Sequence, residues 1–138
     1  MKNFTFTLFL IAGIYILFAC KKEDTSPSVR FTLLTTPLWT SDSLLANGED
    51  ASGPGELLEK FAGDAKFSEN GSGYFGQYTG TWQLINNDEN ITIYSDSLLI
   101  PVTCFIEELS SSNFKIVTSF PLKDEPQPVD IRITFKPK

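Results

Sequence analysis

The last stretch of the chain, Val129 to Lys136, alternates apolar and polar residues without a break. Val129, Ile131, Ile133 and Phe135 fall on one side, and Asp130, Arg132, Thr134 and Lys136 on the other. Successive side chains of a β-strand point to opposite faces, so this pattern specifies a strand with one dry face and one wet face. The same period runs through Phe61, Gly63, Ala65 and Phe67, with Asp64, Lys66 and Ser68 opposite. Turn signals separate further apolar runs. Asn47-Gly48 closes a first strand read over Leu38–Leu45, and Glu69-Asn70-Gly71-Ser72 is the clearest hairpin turn, because Asn-Gly accepts the positive φ angles a tight hairpin needs. Tyr74–Tyr78 returns as a strand, Thr79-Gly80 is read as the next turn, and Thr81–Ile85 follows with Trp82 and Leu84 on one face. Beyond the turn Asn86–Asn90 come Ile91–Tyr94, then Leu98–Leu109 interrupted near Pro101, then Phe114–Phe120 after the turn Ser110–Asn113. Pro121–Pro128 is a proline-flanked acidic loop.

These runs amount to about eight strands joined by short links, which favours an all-β, antiparallel up-and-down meander. Only Val29–Thr36, stopped by Pro37, and Glu56–Lys60 have the look of single helical turns, and Glu49–Gly55 reads as loop. A closed barrel would remove every exposed edge, and a sandwich of two open sheets is the competing arrangement. Trp39 and Trp82, both on strands, are expected in the core or at a barrel floor, since each hides a large apolar area.

The N-terminus has a different grammar. A short basic start is followed by an apolar run from Phe4 to Ala19, and at Cys20 the composition changes to Lys21-Lys22-Glu23-Asp24-Thr25-Ser26-Pro27-Ser28. An apolar run of that length is short for a bilayer span, which takes roughly 20 residues, and it sits where a secretory signal peptide sits. Leu17-Phe18-Ala19-Cys20 resembles the lipobox of bacterial lipoproteins, although Phe18 is bulkier than usual there. The resemblance implies cleavage of residues 1–19, acyl chains on Cys20, and a tether over residues 20–28 that leaves residues 29–138 as one domain. Lys22-Glu23-Asp24 is similar to the signal that sends some lipoproteins of the Bacteroidetes type to the outer face of the outer membrane, and an ordinary charged spacer is the equal alternative. The expected location is thus the outer membrane, held by the acylated cysteine, on its periplasmic or its outer face.

A second resemblance covers residues 31–136. Leu33-Leu34 before Trp39, Lys66-Phe67 before Asn70-Gly71-Ser72-Gly73, Thr79-Gly80-Thr81-Trp82-Gln83-Leu84, and Ile91-Thr92-Ile93 together resemble the lipocalin-like domain of secreted bacterial lipoproteins. The likeness implies a calycin-type barrel closing through its C-terminal strand. Such a barrel is just wide enough to be filled by side chains or to hold one small ligand. A hollow barrel makes the protein a binding module for an apolar or amphipathic ligand, with Tyr74, Phe75, Tyr78 and Phe105 as candidate lining residues and tryptophan fluorescence as its reporter. A filled one makes it a structural or interaction protein of an envelope assembly.

Composition narrows the chemistry. The chain contains no histidine, which removes the Ser-His-Asp triad, the Cys-His pair and His-ligated zinc together. All 17 Asp and Glu lie after residue 19, against 11 Lys and Arg in the whole chain, so phosphate backbones are repelled and nucleic-acid binding is not expected. The neighbouring carboxylates Glu49-Asp50, Asp88-Glu89, Glu107-Glu108 and Asp124-Glu125 read as solvated turns or strand surfaces, since adjacent strand residues face opposite ways. The Asn86–Asn90 loop lacks the alternating oxygen ligands of a calcium loop. No cofactor, metal or enzymatic activity is implied. With Cys20 acylated, Cys104 has no disulfide partner and is expected to act as a small buried hydrophobe. Asp42-Ser43-Leu44 and Asp96-Ser97-Leu98 each resemble a short O-glycosylation motif, requiring an exposed hydroxyl.

Overall fold

In a computed structural model, which describes residues 26–138, the chain is a closed eight-stranded antiparallel barrel with one extra short strand. The strands are β1 (Trp39–Ala46), β2 (Glu49–Asp50), β3 (Asp64–Phe67), β4 (Ser72–Phe75), β5 (Tyr78–Ile85), β6 (Asn90–Tyr94), β7 (Val102–Leu109), β8 (Phe114–Phe120) and β9 (Val129–Pro137). From β3 to β9 each strand pairs with the next, as a meander must, and β1 closes the ring against β9 from Trp39↔Pro137 to Ala46↔Ile131. Closure, rather than a sandwich with free margins, is therefore the solution this alternating pattern adopts. Residues 1–25, including the leader, Cys20 and most of the tether, lie outside the described residues. Ser28, the last residue of the expected tether, is the N-cap of a helix that begins at Val29.

That helix, α1 (Val29–Thr35), lies across one end of the barrel as a floor. It starts where the Ser28 hydroxyl accepts a hydrogen bond from the Phe31 amide at 3.0 Å, and it ends against Pro37. The Lys66 ammonium, 2.6 Å from the Thr35 carbonyl and 3.1 Å from that of Pro37, satisfies carbonyls that the helix end leaves unpaired. On the opposite side Arg30 Nε donates to the Asp88 carbonyl at 2.8 Å, and Ser28 Oγ bonds the Asp88 carboxylate. Asp88 belongs to the β5–β6 turn, where Asn86, Asn87 and Asp88 all take left-handed φ angles of 53°, 55° and 64°, a conformation that Asn and Asp tolerate better than most residues.

Above the floor the barrel is filled with rings. Phe67 lies 5.5 Å from Phe114, 5.7 Å from Trp82 and 5.1 Å from Phe75, while Phe114 lies 5.6 Å from Trp39 and 5.3 Å from Phe135. Edge-to-face and offset contacts of this kind contribute beyond area burial. Trp39 is wholly buried, and its indole donates to the Leu34 carbonyl at 2.9 Å, tying β1 to α1. Both tryptophans therefore occupy the core at the floor.

Three expectations change, the first being that Glu49-Asp50, read as loop, forms β2. Thr79-Gly80 is not a turn: it lies inside β5, and the hairpin reverses earlier, at Gly76-Gln77, where Gly76 has φ +60°. Gly80 is glycine because the backbone of β6 passes so close that a Cβ would stand 1.8 Å from the Tyr94 carbonyl oxygen. The seventh strand is also shorter than read, since Ser95–Pro101 forms the β6–β7 loop and the strand begins only at Val102. The fold keeps its register at these last two places, because turns and loops absorb the difference.

One side of the wall is incomplete. β1 meets β3 only at Trp39 and Thr40, and higher up its free edge pairs with β2 through Leu45↔Asp50 and Ala46↔Glu49. The segment 51–63, with a single 3-10 turn at Glu59–Phe61, fills the gap. Ala51 N and Leu58 N bond the carbonyls of Leu44 and Ala51 at 2.9 Å each, while Ser41 and Gly63 exchange two bonds of 2.8 Å. Lys138 Nζ, 2.7 Å from Asp64, fastens the end of β9 to the start of β3 beneath this segment. That hydrogen bond holds the Asp64 carboxyl below its usual range and raises the Lys138 ammonium.

Candidate functional site

Phe67, Phe75 and Phe135 bound the aromatic fill on the side away from the floor. Above it lies a cavity of about 150 Å³, walled by Phe75 and Tyr78 at the β4–β5 corner, Cys104 on β7, Ile116 on β8 and Ile133 on β9, among others. Segment 51–63 contributes Leu57, Leu58 and Phe61, and the β6–β7 loop contributes Leu98. Phe61 stacks obliquely on Tyr78 with ring centres 4.6 Å apart, which holds the segment against the wall. The mouth lies at the end away from α1, between the β6–β7 and β8–β9 loops, where Leu57, Leu99 and Ile100 are exposed.

Among the described residues the lining contains no charged side chain. Its polar atoms are the hydroxyls of Tyr78 and Thr118 and the Cys104 thiol, and Thr118 Oγ1 already donates to the Thr103 carbonyl at 2.9 Å. Burial pushes the Cys104 thiol up to about 12, so it stays protonated at neutral pH and is a poor nucleophile. It packs as an apolar side chain, as its place in an apolar strand implied. Among the described residues it is the free cysteine.

Of the four aromatic residues named from sequence as candidate lining, Phe75 and Tyr78 face the cavity. Tyr74 and Phe105 do not: they are 38 % and 48 % exposed on the outer surface. The reason is strand parity, because Tyr74 lies between inward-facing Gly73 and Phe75, and Phe105 between inward-facing Cys104 and Ile106. Phe105 instead lies on a shallow outer groove beside Val117, Arg132 and Leu45. Neither tryptophan lines the cavity, so tryptophan fluorescence is a poor reporter of its contents. Leu57 and Leu58 were missed because they sit in a loop, where strand alternation does not apply, while Phe61 and Leu98, read as strand residues, reach the cavity from a 3-10 turn and from the β6–β7 loop. The one available signal was the Leu57-Leu58 pair inside an otherwise polar, glycine-rich segment.

The acidic neighbours lie outside. A β-bulge between Ile106 and Glu108 suspends the alternation there, so both Glu107 and Glu108 reach Lys115, at 3.8 and 3.7 Å. These are exposed ion pairs of small energetic weight. Among the described residues no three metal-ligating side chains gather, and no helix is long and apolar enough to cross a membrane. Ser97 is exposed on the β6–β7 loop, whereas Ser43 is half-buried on β1. No known protein family and no curated protein sequence matches the chain.

Proposed function

We propose that this protein is a lipid-anchored envelope lipoprotein whose lipocalin-like barrel binds a small apolar molecule, or the apolar end of an amphipathic one, without catalysing a reaction. The observation that carries this reading is the cavity of about 150 Å³ inside the barrel, lined by apolar side chains and bounded by the packed rings of Phe67, Phe75 and Phe135. A water molecule occupies about 30 Å³ of the liquid, and a cavity of this size and lining favours an apolar guest over water. The alternative of a wholly filled, purely structural barrel would have no such space. The leader and lipobox supply the anchoring part, with the membrane reached through acyl chains on Cys20.

The binding test uses methyl-labelled full-length protein titrated with toluene. Shifts confined to the methyls of Ile93, Ile116, Ile131 and Ile133 are expected, and Ile116→Phe, which fills the space, should abolish them while leaving the protein folded. Absence of any shift in the unaltered protein would remove the ligand-binding reading. The anchoring test is independent. Mass spectrometry of the protein from envelope membranes should find an N-terminus at Cys20 carrying acyl chains, and Cys20→Ala should release the protein from the membrane or leave its leader uncleaved. An intact leader on a protein without acyl chains would remove the lipoprotein reading.

A further inference from the structure

Resting on the binding reading above, we infer that the cavity selects uncharged guests about the size of a single ring and excludes carboxylates of the same shape. Size is the first argument. Pockets for drug-sized ligands run to roughly 300–1,000 Å³. A cavity of about 150 Å³ walled by Leu, Ile and Phe accepts a benzene-sized guest instead. A long acyl chain or a multi-ring molecule can place only one end inside, with the remainder left at the mouth.

Charge is the second argument, and it comes from where the cations are. Among the described residues, each Lys or Arg that might neutralise an acid is engaged elsewhere or faces water. Arg30 and Lys66 serve the floor helix, while Lys115 and Arg132 meet Glu107 on the outer wall. Lys136 bonds Asn113 Oδ1, and Lys138 bonds Asp64. Lys60 is exposed, and Lys123, the cation on the β8–β9 mouth loop, is exposed to water beside Asp124 and Glu125. The mouth loops also carry the exposed acids Asp96, Asp124 and Glu125. An anion brought into this space would lose its hydration and gain no counter-charge, a cost that shifts it back to water. Cavity shape alone would admit toluene and benzoate alike, so the discrimination is electrostatic.

The experiment compares toluene with benzoate on the full-length protein at neutral pH, read by the same methyl shifts. Toluene is expected to bind at least a hundredfold more tightly than benzoate. Ile100→Lys, which places a cation at the mouth on an exposed loop residue outside the lining, should raise benzoate affinity at least tenfold while toluene still binds. Benzoate bound within tenfold of toluene by the unaltered protein would overturn this inference and leave the binding reading intact. An Ile100→Lys protein that binds toluene yet gains no benzoate affinity would also overturn it. Failure of toluene itself would instead remove the binding reading on which the inference stands.

Discussion

Trp39→Ala is expected to lower the stability of the barrel by about 4 kcal/mol, the middle of the range for removing a buried tryptophan. The residue is wholly buried, packs 5.6 Å from Phe114, and through its indole holds the Leu34 carbonyl of the floor helix. Substitution therefore opens a cavity in the aromatic layer and leaves a buried carbonyl without its donor, two penalties at one position. Against a total stability of about 5–15 kcal/mol for an ordinary domain, such a loss removes between roughly a quarter and four-fifths of it. Chemical denaturation followed by circular dichroism measures it. Trp39→Phe, which keeps a ring in the layer and loses only the donor, should cost less than half as much. A loss below about 1 kcal/mol for the alanine variant would mean that α1 and the rings above it are not mutually supporting.

The second large effect is at Gly80. In most strand interiors alanine is worth about 0.5–1 kcal/mol more than glycine, because it restricts the unfolded chain. Here the sign reverses. The new methyl would stand 1.8 Å from the Tyr94 carbonyl oxygen and 2.9 Å from its carbon, and both belong to the backbone of a paired strand. Relief requires β5 and β6 to move apart, so Gly80→Ala should cost about 3 kcal/mol, toward the upper end for overpacking. Gly53→Ala is the control, since its methyl would meet only Glu56 Cγ at an ordinary 3.5 Å. Thermal unfolding should separate the two variants by about 10 °C, and equal midpoints would contradict the close approach of the strands.

Those two positions also show what the sequence could and could not disclose. Period-two alternation is a local signal, so β9 with its buried Val129, Ile133 and Phe135, and β8 over Phe114–Phe120, are legible from residue order alone. Gly80 is not, because its meaning depends on β6, which lies beyond the reach of any local pattern. The candidate site divides in the same way. Phe75 and Tyr78 lie at the ends of strands that alternate, and they face inward, whereas Tyr74 and Phe105 were placed one residue out of phase. An aromatic residue on a strand announces a large side chain but not its parity, and a shift of one reverses the face. The contribution of segment 51–63 was invisible for a different reason. A loop is buried only when a neighbouring strand stops short, and β3 stops short of most of β1.

The floor helix has a consequence for how the molecule would stand in the envelope. The described chain enters at Ser26–Ser28, beside Asp88 and directly beneath α1, at the pole opposite the mouth. Eight residues from Cys20 to Ser28 reach at most about 28 Å, little more than the slanted height of the wall itself. Under the lipoprotein reading the tether joins the barrel at its plugged pole, so the point of attachment and the open rim lie at opposite ends of the wall, and a change in one leaves the other untouched.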